Sequence, residues 1–503
     1  MKESNMKFTT LKFAVGIVLL AELATPFLLV AQKTSYKLID IGTLGGPSAH
    51  GPGNGQGSQL INNAGVVAGE ADTSIPCNGA NCPIGHGFRW ENGVLTDLGA
   101  LPGGNLSAAS AINARGSIVG FSQTVELDPV LNAPAGHAVL WNDNQPIDLG
   151  TLDTGVQSEA NYLDNGGTVV GMSTIDTTFD PFACIGPFCS PTHAFIWKNG
   201  VMQDLGTLGG PDSFIFFGGG CNIQRSYLVA GSSYTDGIKI PATGFPTQHA
   251  FLWQNGKMTD VPTLGGTYAF AECANNQGQV MGQSNLTGDP GCDGISPQFS
   301  CDEHAFLWDH GTLTDLGTLG GTFSLANWID NTGEVVGGAT TPGDQAFHAT
   351  LWKNAVITDL GTLDGDCFSQ AWAINSKGQI VGQSFNCDTG NFRTVLWDKG
   401  SIFDLSIAST EPLNINDKGE ISGVYLPAGC QNSDLCSHAF VLVPCNSAGV
   451  QGCDIIVQPN PAAIATRAAT TAADAQRTKN YVARLRTRLA QRYHGSGLGA
   501  PQH

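Results

Sequence analysis

A phrase close to HAFLWxNGxxTDLGTLGG recurs about every fifty residues, and the chain starts and stops partway through it. Copies begin at His86, His137, His193, His249, His304 and His348. A degraded copy begins at Arg393, and a half copy, HAFVLVP, runs from His438 to Pro444. The missing half, YKLIDIGTLGG, lies at the other end, from Tyr36 to Gly46. A rotated set of whole repeats is accounted for by a closed ring. In such a ring the first and last strands pair and leave no open sheet edge.

Each unit reads as two hairpins. In the copy from His193, HAFIW alternates, Asn199-Gly200 supplies the positive φ values of a two-residue type I′ turn, and VMQDLG alternates back. Asn-Gly recurs at 92/93 and 255/256. The register places Trp197 opposite Met202 and Phe195 opposite Asp204, with His193, Phe195 and Trp197 on one face. The second hairpin has the pattern I/L-N/D-x-x-G-x-V/I-V-G, as in INNAGVVAG from Ile61 and IDNTGEVVG from Ile329. There Asn or Asp opens the turn and Gly takes the left-handed position. Four antiparallel strands per unit and eight units, counting the split one, predict an all-β, eight-bladed β-propeller closed by its terminal strands. A seven-bladed propeller or a β-solenoid is the alternative, because the seventh unit is degraded.

The HAF triplet, with the W-x-N-G and DLGTLGG that follow it, resembles the HAF-repeat family of probable extracellular repeat proteins over roughly residues 36–445. The resemblance implies export and carries no catalytic residues. The chain departs from the pattern at Arg393, which replaces the His, and at Asp404-Leu405-Ser406, where the Gly is lost.

The segments flanking the repeats have separate characters. Residues 1–31 read as a signal peptide: Lys2, Lys7 and Lys12 precede an apolar run ending at Ala31. An uncleaved anchor is the alternative. Residues 32–445 form the propeller, and 446–503 a linker and basic tail. In the tail, Arg477, Lys479, Arg484, Arg486, Arg488 and Arg492 accompany Tyr481, Val482, Leu485 and Leu489 near helical spacing. Such a helix would touch an anionic surface or fold back on the acidic ring; a loosely ordered end is the alternative.

Fourteen cysteines fit an oxidising compartment, so a secreted, periplasmic or envelope location is expected. The expected disulfides are Cys77–Cys82, Cys184–Cys189, Cys221–Cys273, Cys292–Cys301, Cys367–Cys387, Cys430–Cys436 and Cys445–Cys453. Scattered pairs of this kind lack the ligand spacing of zinc. No cofactor is expected; Asp289 and Asp293 in GDPGCDG are the only calcium candidates. A net charge of −19 excludes nucleic acid as a natural partner.

Repeated residues read as scaffold. The His positions (86, 137, 193, 249, 304, 348 and His438) recur with Asp40, Asp97, Asp148, Asp204, Asp260, Asp315, Asp359 and Asp404. Trp90, Trp141, Trp197, Trp253, Trp308, Trp352 and Trp397 stand beside them. A His–Asp pair invites a catalytic reading, but an enzyme needs one pair in one cleft with a nucleophile, and this chain has many pairs. Function is therefore expected where units differ. The loops at 121–136, 173–192, 232–248 and 284–303 are long, and those near 340–347 and 385–391 are short. The long loops offer Phe179, Phe182, Phe188, Tyr234, Phe245 and Phe299 as candidate ligand contacts, unless these pack their own loops. The expected function is non-enzymatic binding of a polysaccharide or extracellular protein through the long-loop face or the central channel. The rivals are a glycoside hydrolase or lyase using the unmatched acids Glu159, Glu272 or Glu334, and a structural envelope protein.

Overall fold

The computed structural model describes residues 35–50, 59–76, 83–180, 182, 189–215, 228–240, 245–287, 302–408, 410–430 and 436–445. Toward the C-terminus it describes 453, 455, 456, 459–461, 476, 477 and 480–484. The expected export segment, Cys77–Cys82, Cys292–Cys301, Cys184, Cys221, Phe188, Phe299, Asp289 and Asp293 lie outside the described residues.

The chain forms an eight-bladed β-propeller of four-stranded antiparallel blades. Counted from Gly45, blade 2 is typical: Ser107–Ile112 is innermost, followed by Ile118–Asp128, Ala133–Asn142 and the outer Gln145–Asp148. Inner strands such as Ser107–Ile112 and Ser158–Leu163 are buried throughout, whereas outer strands such as Val201–Asp204 are exposed or half-buried at every residue. Neighbouring blades touch through single parallel bridges, Gln248 to Tyr268 and Phe347 to Phe368.

Blade 8 closes the ring. Its strands Thr410–Ile415, Ile421–Tyr425 and His438–Pro444 are completed by Ser35–Gly42 from the other end of the sequence. Tyr36 pairs with Pro444 and Asp40 with Phe440. Beyond the closure, Ile455–Ile456 pairs with Ser35–Gly42, and Pro459–Pro461 pairs with the outer strand of blade 7, Ser401–Ala408. The segment after the last repeat therefore covers the outer edges of two blades.

The Asn199-Gly200 turn has φ values of 51° and 84°, and the hairpin it sets has Trp197 opposite Met202 and Phe195 opposite Asp204. Disulfides Cys367–Cys387, Cys430–Cys436 and Cys445–Cys453 are formed, with Cα separations of 5.8, 5.7 and 6.0 Å. Cys189 and Cys273 are also disulfide-bonded. One expected loop is a hairpin instead: residues 121–136 are mostly the lengthened strands Ile118–Asp128 and Ala133–Asn142. They carry Val125 and Leu127 outward at a tip pinned by Asp128 Oδ1, which accepts from the Val130 N–H at 2.7 Å.

Candidate functional site

The repeated polar residues sew the ring together. In each complete unit His Nδ1 meets the Asp eleven residues on, at 2.9 Å in His86–Asp97 and His137–Asp148 and 2.8 Å in His193–Asp204, His249–Asp260 and His348–Asp359. The distance is 2.9 Å in His304–Asp315, and 3.0 Å in His438–Asp40, which spans the closure. The same Asp accepts from the N–H of the Gly two residues on, as Gly206 does to Asp204 at 2.7 Å, with Gly206 at φ 73°. Pro262 removes that donor in blade 4. In blade 7, Arg393 replaces His and pairs with Asp404 at 3.0 Å and with Asp366 at 2.7 Å.

Electrostatics follow from these contacts. The Asp97 bond raises the His86 pKa above the ordinary range, partly offset by burial. Burial lowers that of His193, but the Asp204 bond and charge outweigh it, and the net shift is upward. Burial pushes Asp97, Asp148, Asp204 and Asp315 up, yet the His and Gly bonds leave each below the usual carboxylate range. In His86 and His193 both ring nitrogens are engaged, Nδ1 on the Asp and Nε2 on a backbone carbonyl.

Between blades, two further devices act that the sequence does not announce. A Ser opening the inner strand accepts from the N–H of the residue after the preceding blade's His and donates to that blade's DLG glycine carbonyl. Ser158 does so with Ala138 at 2.8 Å and Gly150 at 2.6 Å, and Ser369 with Ala349 at 2.9 Å and Gly361 at 2.7 Å. At the opposite end the turn Asn works twice. Asn62 Oδ1 accepts from the N–H of Ala64 and Val66, while its Nδ2 donates to the Asn113 carbonyl of the next blade at 3.0 Å. Asn113 passes the link to Asp164 at 3.0 Å, Asn275 to Asp330 at 2.9 Å, Asn375 to Asn416 at 2.9 Å and Asn416 to Asn62 at 2.9 Å. Trp side chains contribute similarly: Trp141 Nε1 donates to Leu98 of the previous blade at 3.0 Å.

This predicts a graded result at Asn416. Asn416→Asp keeps the acceptor that holds the turn and loses the donor across the closure, costing about 1 kcal/mol, because the Asn62 carbonyl loses one of its two hydrogen bonds and keeps that from the Gly65 N–H. Asn416→Ala loses both functions and costs more. Urea denaturation of the three proteins checks the order.

The inner strands differ from unit to unit at one inserted residue each. Each of six inner strands carries a bulge, whose extra residues are Ser110, Asn161, Glu272, Asn327, Trp372 and Leu413. All six are buried. An Ala precedes the extra residue in five of them, and in blade 8 this is Pro412. The bulge brings the inner strand's carbonyl against the V-V-G glycine: a Cβ on Gly171 would strike the Glu159 carbonyl, and one on Gly382 the Gln370 carbonyl. Blades 1, 2, 3, 6, 7 and 8 all contribute to one cavity of about 50 Å³, through residues such as Gln59, Asn113, Tyr162, Trp328, Asn375 and Asn416. A pocket shared by six blades of a ring can lie only on its axis. It is the channel mouth on the Asn-turn face.

Around the channel, Asn161 Oδ1, Gln370 Nε2, Trp328 Nε1 and Trp372 Nε1 are buried and have no hydrogen-bond partner among the described residues. Leaving such groups unpaired is costly, so each marks a place where a water or a ligand group can pair with it. Glu159 is 4% exposed; burial pushes its pKa up to about 7, against the pull of the Asn161 amide at 2.8 Å. Glu272, at a bulge, is likewise buried. Glu334 sits in a hairpin turn away from the channel and pairs with Lys353.

Among the described residues, three of the loop aromatics pack against their own loops and strands. Tyr234 is 1% exposed: it ends a strand, packs edge-on to Phe214 and donates its hydroxyl to the Phe182 carbonyl at 3.2 Å. Phe182 leans on Tyr234 beneath Lys239, and Phe245 is half-buried on the same cluster. Among the described candidates only Phe179 is open, at 63%. The tail reaches the loop-carrying face. Tyr481 stacks on Phe368 with centroids 4.5 Å apart, and Val482 is 3% exposed beside Tyr268, Phe270, Phe323 and Leu325.

No protein-family model matches the chain and no curated protein matches it, so the resemblance to HAF repeats rests on the repeat residues alone. Solved structures are similar at low identity. An acylaminoacyl peptidase in complex with a chloromethyl ketone is 10% identical with a TM-score of 0.40, covering 67% of this chain and 51% of that one. This chain thus spans about half that structure's length. The β-propeller domain of the Trilobed protease from Pyrococcus furiosus is 8% identical with a TM-score of 0.40, covering 71% of this chain and 98% of that one. A PL25 ulvan lyase is 11% identical with a TM-score of 0.33, covering 77% and 93%.

Proposed function

We propose that the chain is an exported, disulfide-braced repeat protein of the HAF-repeat kind that binds carbohydrate through its central channel without cleaving it. One observation carries this reading: the inner strands of blades 3, 6 and 7 hold buried polar groups with no partner among the described residues, two of them indole N–H groups. The recurring His–Asp pairs and turn Asn amides are engaged in holding the ring. A sugar hydroxyl both donates and accepts, so it can satisfy amide, indole and carboxyl groups together, while indole faces take the apolar face of a pyranose. Disulfides are compatible with a location outside the reducing cytoplasm.

The test is a glycan array with the full chain made under oxidising conditions, with product analysis of every bound polymer. Binding without cleavage is expected, weakened at least tenfold by Trp372→Ala and by Asn161→Ala in folded protein. Cleavage would replace this reading with an enzymatic one centred on Glu159 and Glu272. No binding to any glycan would remove it.

A further inference from the structure

The loop-carrying face is lopsided, and the tail lies on its low side. Blades 6 and 7 have short connections between their second and third strands, Thr341 to Ala346 and Cys387 to Gly390. Helical turns at 476–477 and 480–484 settle there. Arg477 Nη1 donates to the Cys387 carbonyl at 2.9 Å and stands 3.6 Å from Asp388. Tyr481 lies face to face with Phe368, its ring plane tilted by 12°, with Phe347 at 5.9 Å and Phe385 stacked behind Phe368 at 5.1 Å. Its hydroxyl donates to Gln370 Oε1 at 3.0 Å.

Gln370 belongs to the inner strand of blade 7, two residues before Trp372. Tyr481 therefore sets a flat ring on an aromatic platform and a hydroxyl on an inner-strand amide, while Gln370 Nε2 has no partner among the described residues. A pyranose would offer the same two features: an apolar C–H face for Phe368 and a hydroxyl donor for Oε1. Its ring or hydroxyl oxygens could in addition accept from Nε2.

We propose that Phe347, Phe368 and Gln370 form a pyranose subsite at the loop-face mouth of the channel, which Tyr481 of the chain's own tail occupies until carbohydrate displaces it. The proposal rests on the reading of the channel as carbohydrate-binding. It predicts that apparent affinity in the intact chain is reduced by the fraction of molecules with the tail docked.

The experiment uses the full chain, its Tyr481→Ala variant, and a fluorescein-labelled peptide of residues 473–492 followed by anisotropy. The variant should bind the peptide at least tenfold more tightly than the parent, whose site is filled. Adding Gln370→Ala to the variant should weaken that binding. Equal binding to parent and variant, or none to a folded variant, overturns the subsite. Cellohexaose, chitohexaose, xylohexaose and every glycan retained on the array are then tested as competitors. Displacement of the peptide supports the proposal. Glycans that bind the chain yet leave the peptide in place overturn it while the channel reading stands. If no glycan binds, the channel reading falls and the carbohydrate assignment falls with it.

Discussion

Arg393→Ala is expected to destabilise the ring by about 3–5 kcal/mol, the range for removing one partner of a buried ion pair. Asp366 is the reason. Its side chain is fully buried, one oxygen 2.7 Å from Arg393 Nη2 and the other accepting from the Ser384 hydroxyl at 2.7 Å. The guanidinium also reaches Asp404 at 3.0 Å, which is the contact that His makes elsewhere. Restoring the repeat's own residue should therefore not restore stability. Arg393→His can satisfy Asp404 but leaves Asp366 uncompensated, because a single imidazole lacks the fork that spans both acids. Denaturant midpoints of Arg393→Ala, Arg393→His and Asp366→Ala, and of the Arg393→Ala/Asp366→Ala pair, check this. The double substitution should cost clearly less than the sum of the two single ones. Additive costs would mean that the pair does not act as a unit.

Arg393 looks like decay when the repeats are aligned, yet it forms the most connected cation of the set. That difference marks the limit of reading this chain as sequence. Blade register was legible because it is local: an Asn-Gly turn and period-2 alternation fix which residues face each other within about ten positions. The His–Asp link followed from the same register, and closure followed from the rotated repeat. The contacts of Ser158 and of the Asn62 amide were not legible. Their partners lie about twenty and fifty-one residues away, in the next or previous unit. Every local rule already assigned Asn62 a sufficient role in its own turn, and its free amide protons had no visible destination. Tyr234 was misplaced for a related reason. It sits where a strand runs into a long loop, and composition alone does not say that the strand carries it into the core. The bulges were hidden too, although the V-V-G glycine was their trace: only a close backbone approach requires it there.

Stability should be greatest in mildly acidic solution and fall as pH rises toward 8. Glu70, Glu159 and Asp212, each pushed up to about 7 by burial, set the sign. Glu159 and Asp212 are 4% and 0% exposed, and burial pushes each to about 7 from ordinary values of 4.5 and 3.8. For Asp212 the Thr192 N–H at 2.9 Å opposes the shift and Asp180 adds to it. Between the ordinary value and 7 the folded chain holds a proton that the unfolded chain has released. The stabilisation is thus complete below the unfolded value and is lost as pH rises through the folded one. His86 and His193, shifted upward, extend the loss above 6.5. At the other end, the lowered Asp97, Asp148, Asp204 and Asp315 contribute above 3.8 and fail below it. Glu159→Gln keeps a partner for Asn161 Nδ2 and has no charge to bury. It should remove on the order of 3 kcal/mol from the pH dependence between 4.5 and 7, at 1.36 kcal/mol per pH unit. Melting curves of the parent and Glu159→Gln across pH 4–8 decide it: parallel profiles would mean that Glu159 is already solvated as a carboxylate in the folded ring. The same titration reaches the ligand. Below about 7 the Glu159 carboxyl has a proton to give a sugar oxygen, and above it only lone pairs to accept a hydroxyl. A carbohydrate held at this position should therefore show a change in affinity centred near pH 7, and Glu159→Gln should abolish it.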